Sequence, residues 1–217
     1  MTAASLFDQG INQVAQLSIP SRIYNQSSTV EIGRCSHVVE VVTNGIFIAN
    51  LTANIAFIGM DATTCRADNV LRLKDEEGNW HDYRACLLKD TSLIRNGAHV
   101  WFINGNQVKQ KGKVCSERFS NRDCGLRSVL LVERSDGAPG AISVQGDSGA
   151  LVMLAQSADV LETQVVGMLI GTTRLRFHGE PVKEVTVANL LSYILWHLFS
   201  DTVEFADDRP ARTYYVA

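Results

Sequence analysis

Residues 146–149 read Gly-Asp-Ser-Gly and run into an apolar stretch, Ala150-Leu151-Val152-Met153-Leu154. A serine hydroxyl on a tight turn is a candidate nucleophile. Glycines beside it let the backbone aim N–H groups at one point with no Cβ in the way. The N–H groups of Gly146 and Ser148 would then form an oxyanion hole for the carbonyl that Ser148 attacks. Asp147 is placed to hold the loop through an ion pair or hydrogen bonds. The same four residues also make an ordinary turn, and taken alone they leave both readings open.

A serine needs a base, most often a histidine held by a carboxylate. The five histidines are His37, His81, His99, His178 and His197. His81 stands beside Trp80 in a hairpin pattern, His99 in a strand pattern, His178 in the turn "FHGE" and His197 in a helical pattern. Residues in those settings are more often structural than catalytic. His37 lies in "CSHVVEVV", whose alternation also reads as a plain strand.

The elements that must carry these groups are mostly strands. "TVEIGR", "HVVEVVT", "GIFIAN" and "NIAFIGM" are short runs rich in Val, Ile and Phe, separated by Asn, Gly and Thr. Residues 70–74 and 80–87 predict the arms of a hairpin with its tip at Asp75-Glu76-Glu77-Gly78. "AHVWFING", "GKVCSERF", "RSVLLVER", "ALVMLAQ" and "TQVVGMLIGTTRLRF" form a second set of strands. Such spacing predicts an all-β barrel or sandwich. Two helices are expected, over 5–17, ended by Pro20, and over 185–199, where Leu190, Leu191, Ile194, Leu195 and Leu198 share a face. The organisation expected is a helical segment over 1–28, a first barrel over 29–95, a second over 96–200 and a charged tail over 201–217.

Composition narrows the classes. The chain has 217 residues, 46% of them hydrophobic and 20% charged, so it can bury a core. A net charge of −3 offers no strong positive field for nucleic acid or a membrane surface. No apolar run reaches transmembrane length, and the first residues lack the basic and apolar regions of a signal peptide. Cys35, Cys65, Cys86, Cys115 and Cys124 are odd in number and irregular in spacing, which weakens zinc and disulfide readings and favours a reducing, intracellular compartment. No metal cluster or phosphate loop is present in the sequence, so no cofactor is expected.

The order of "VQGDSGALVML", "VVGMLIGTT" and the segment "EPVKEVTVANLLSYIL" resembles the second barrel of chymotrypsin-like serine proteases, closest to intracellular members without disulfides. "GAHVWFINGNQVKQKGKV" resembles the opening of that barrel, so the resemblance covers residues 97–199. It implies a double β-barrel with a C-terminal helix. It implies Ser148 as nucleophile, Gly146 and Ser148 as oxyanion donors, and Val166 and Gly167 as a strand that pairs with a peptide. Ala141, Ile142 and Ser143 would shape the side-chain pocket. No acidic residue stands at the pocket's expected base, so cleavage after Lys or Arg is not implied.

The first barrel departs from the family. His37 matches its histidine motif. "TANIAFI" matches the strand that carries its acid, with Asn54 where an aspartate is expected. Asparagine supplies a hydrogen bond but no charge for imidazolium. The stretch between His37 and Asn54 is short for the strands the family places there, and Asp61 or Asp90 could serve as acid only in a rearranged barrel. Two functions follow: a serine endopeptidase acting on polypeptides, or a catalytically impaired relative that binds or scaffolds peptides.

Overall fold

The computed structural model describes residues 2–3, 14–20, 27–43, 50–60, 70–74, 78–88, 90–106, 108–121, 123, 125–155, 162–176 and 181–199. Among the described residues the protein is all-β with one α-helix. The strands are β1 (Thr2–Ala3), β2 (Val14–Pro20), β3 (Ser27–Thr43), β4 (Asn50–Met60), β5 (Val70–Lys74) and β6 (Trp80–Leu87). They continue as β7 (His99–Ile103), β8 (Lys109–Asn121), β9 (Leu126–Arg134), β10 (Leu151–Leu154), β11 (Glu162–Leu175) and β12 (Lys183–Asn189). The helix α1 spans Leu191–Phe199.

Two helix expectations are corrected. Val14–Pro20 is a strand, because Ala15, Leu17 and Ile19 alternate with Gln16 and Ser18 at the period of a sheet. The last helix begins only at Leu191, since the β-branched run Val185-Thr186-Val187 favours β12. Residues 5–13, most of "GIFIAN", residues 75–77 of the hairpin tip and the 201–217 tail lie outside the described residues.

Strands β1 to β4 form one sheet in the order β1-β4-β3-β2. The other eight form a second, in the order β10-β7-β8-β9-β12-β11-β6-β5. Strand β10 also pairs with β11, through Leu151–Met168, Val152–Gly167 and Met153–Val165. That pairing joins β7, β8, β9, β12, β11 and β10 into a closed ring. The hairpin β5–β6 is attached outside it, with β6 parallel to β11.

Period-two alternation fills the ring. Val100, Phe102, Val114, Leu130, Val132, Val152, Val166, Leu169 and Ala188 form one buried cluster with a member from every ring strand, so it is the interior. Their neighbours Trp101, Met153, Val165 and Met168 point the other way and pack with Leu191 and Ile194 of α1 and Ile55 of β4. Ile55 and the 2.9 Å hydrogen bond from the Arg127 N–H to Thr52 Oγ1 seat the small sheet on the ring's outer face.

Candidate functional site at the Ser148 loop

The chain leaves β9, turns through 135–150 and enters β10 at Leu151. Gly146 has φ +99° and Gly149 φ +94°, a region that a Cβ disfavours. The loop's glycines are therefore required by its backbone, as their spacing predicts.

Asp147 is the loop's anchor. It is 5% exposed. Its Oδ2 accepts from the Val144 N–H at 2.9 Å, and its Oδ1 accepts from the Gly105 N–H at 3.1 Å. Of the two roles expected for Asp147, the hydrogen-bonded one is found, with backbone donors on both oxygens. The loop closes further through Asp147 N–H to Val144 O at 3.1 Å and Ala150 N–H to Asp147 O at 3.0 Å. Gly149 N–H donates to Leu169 O, and Leu169 N–H to Ala150 O, each at 2.9 Å, which ties the loop to β11.

These bonds leave a pattern. Val144, Asp147, Gly149 and Ala150 all donate within the protein. Among the described residues the N–H groups of Gln145, Gly146 and Ser148 meet no protein acceptor. Ser148 itself is half-buried, whereas Val144, Gln145 and Gly146 are exposed. The N–H groups at 146 and 148 are available to an oxygen brought from outside.

Behind the loop, Thr186 of β12 fixes the segment expected to shape a pocket. Its Oγ1 accepts from the N–H groups of Ile142 and Ser143, both at 3.1 Å, and shares a 2.9 Å hydrogen bond with Ser143 Oγ. Ile142, Ser143 and Thr186 are all buried, and Ala141 is half-buried. A cleft of about 720 Å³ opens nearby between Ala138–Gly140 and Pro181–Val185, where β9 and β12 part beyond the Thr186–Val132 pair; Ser148 does not line it.

Val166 and Gly167 do not have the role expected of them. Val166 is fully buried, and Gly167 pairs with Val152 of β10. On the opposite edge Met168 pairs with Asn189 of β12. No free strand edge exists there for a peptide. The open edge of β11 starts three residues later: past Leu169 the β10 side has no described partner, while β12 continues on the other side to Leu175. Among the described residues, Ile170 to Arg174 therefore have no strand on that side.

His37 lies on β3 opposite Phe57, and Asn54 on the adjacent strand β4 one residue before the buried Ile55. The two are brought to neighbouring strands. Their side chains lie outside the described residues. His99 is exposed on β7, and His81 stands 6.3 Å from the Tyr83 ring on β6; His178 and the His197 side chain are outside the described residues. Asp90 caps a short 3-10 turn by accepting from the Ser92 N–H at 2.9 Å, a structural use. Cys35, Cys86 and Cys115 are thiols outside any disulfide. Among the described residues no three of His, Cys, Asp and Glu gather as metal ligands, and no helix is long and apolar enough to cross a membrane.

No family model matches the chain, and no curated protein is similar to it.

Proposed function

We propose that the protein is a serine endopeptidase of the chymotrypsin-like kind, with Ser148 as nucleophile. One observation carries the reading: on either side of the buried, hydrogen-bonded Asp147, the N–H groups of Gly146 and Ser148 meet no acceptor among the described residues, and neither does that of Gln145. The resemblance over residues 97–199 and the ring of β7 to β12 favour the same reading.

In this mechanism Ser148 Oγ attacks the carbonyl carbon of a peptide bond as His37 takes its proton. The carbonyl oxygen becomes an oxyanion and accepts from the Gly146 and Ser148 N–H groups. The intermediate collapses, the C–N bond breaks, and His37 returns the proton to the leaving amine. Water then releases the acyl group by the same steps. The substrate would lie as an added strand on Ile170–Arg174, its side chain toward Ile142 and Ser143. The proposed setting is intracellular, with no cofactor, nucleic acid or membrane involved.

The second reading rests on Asn54. With asparagine in place of the acid, imidazolium has no charged partner, and the same edge and loop would bind a peptide without cleaving it. A fluorophosphonate probe on the folded protein decides between them. Labelling at Ser148 that Ser148→Ala abolishes supports the peptidase. A folded protein that stays unlabelled sinks it and leaves the binding module.

A further inference from the structure

The Asp147 carboxylate is held by two segments far apart in sequence. The Val144 N–H belongs to its own loop, and the Gly105 N–H belongs to the β7–β8 turn. That turn has an organiser. Asn104 Oδ1 accepts from the N–H groups of Asn106 at 3.1 Å and Val108 at 2.9 Å, and Asn104 N–H donates to Val108 O at 3.1 Å. Three hydrogen bonds thus fix the backbone from which the Gly105 N–H projects. No ion pair reaches Asp147 among the described residues, so the loop is latched by peptide groups and needs no ammonium or guanidinium.

We propose that Asn104 is a positioning residue for the Ser148 loop, acting through the Gly105 N–H and the Asp147 carboxylate. The inference rests on the peptidase reading only for its effect on reactivity; the latch itself stands apart from it. The turn also carries an exposed Val108, so whatever grips it from outside pulls on Asp147.

The test is amide hydrogen exchange of residues 143–150 in the full chain, run beside fluorophosphonate labelling. Asn104→Ala should speed exchange at Asp147, Gly149 and Ala150 by about tenfold or more while β9 and β12 amides keep their protection. Asn104→Asp retains the acceptor and should restore wild-type exchange. Labelling of Ser148 should slow in Asn104→Ala and recover in Asn104→Asp. Unchanged loop exchange in Asn104→Ala, or an aspartate variant no better than alanine, overturns the proposal. If the alanine variant does not fold, the wild type suffices: Gly105 and Val144 amides should be protected alike, and a Gly105 amide exchanging about tenfold faster refutes the latch. A wild type with a protected loop and no labelling refutes the peptidase but keeps the latch.

Discussion

Gly167 and Asn189 meet backbone to backbone. A Cβ on Gly167 would lie 2.1 Å from the Asn189 carbonyl oxygen, while Asn189 Oδ1 accepts from the Met168 N–H at 3.0 Å. Strand β12 is thereby pressed against β11 where β10 closes the ring. Gly167→Ala should destabilise the fold at or beyond the upper end of the roughly 1–3 kcal/mol typical of overpacking, because the obstacle is main chain. Urea unfolding checks this, and an unchanged midpoint would show that the strands part freely.

Gly112 is a second close approach, with a different neighbour. A Cβ there would meet Val132 Cγ1 at 2.6 Å and Ile142 Cδ1 at 2.7 Å. The two side chains yield more readily than backbone, although the Glu133 carbonyl oxygen stands 3.0 Å away, so Gly112→Ala should cost about 1–3 kcal/mol and displace Ile142, which the proposed function sets beside the substrate side chain. The displacement should alter preference among small peptide substrates or ligands more than it alters probe labelling at Ser148.

Thr186→Val keeps the shape of the side chain and removes its acceptor. The Ile142 and Ser143 N–H groups are then buried without partners, at a cost of about 1–3 kcal/mol each. Thr186→Ser should recover most of that loss. Thermal unfolding of the three proteins gives the comparison, and a valine variant as stable as the serine one would assign no weight to the hydroxyl.

Burial, followed by the nearby Glu133 carboxylate, pushes the Cys115 thiol up to about 11. A group raised in the folded state stabilises below its unfolded value, near 8.5 for a thiol, and that contribution disappears as pH climbs through about 11. At pH 8 the native thiolate should be scarcer than in the unfolded chain by roughly a hundredfold. Alkylation of Cys115, followed by peptide mass, should be correspondingly slow until urea is added. Equal rates would contradict the burial.

Much of this was written locally. The hairpin arms Val70–Lys74 and Trp80–Leu87 follow from alternation and a Gly-containing tip, and the glycines at 146 and 149 announce their positive φ. What the sequence hid is long-range. The Gly105–Asp147 bond spans 42 positions, and no spacing rule links a hairpin turn to a carboxylate that distant. Val166 and Gly167 were expected on an open edge, but apolar alternation marks a strand without saying which of its edges is already taken. Helical periodicity in "VTVANLLSYILWHLF" is real from Leu191 onward, but β-branching overrules it before Asn189.

Strand β11 pairs with β6, β10 and β12, and those partners are spread from Arg84 to Asn189. During synthesis β7 to β10 leave the ribosome as an open sheet with two unsatisfied edges, and the hairpin β5–β6 waits with no parallel neighbour. Closing a ring through contacts this remote in sequence is slow, because loop entropy must be overcome before the contacts reward it. A nascent chain stopped before Lys183 exposes the apolar interior of an open ring, because only β12 bridges β9 and β11, so the emergence of β12 is the step that lets this protein close its core.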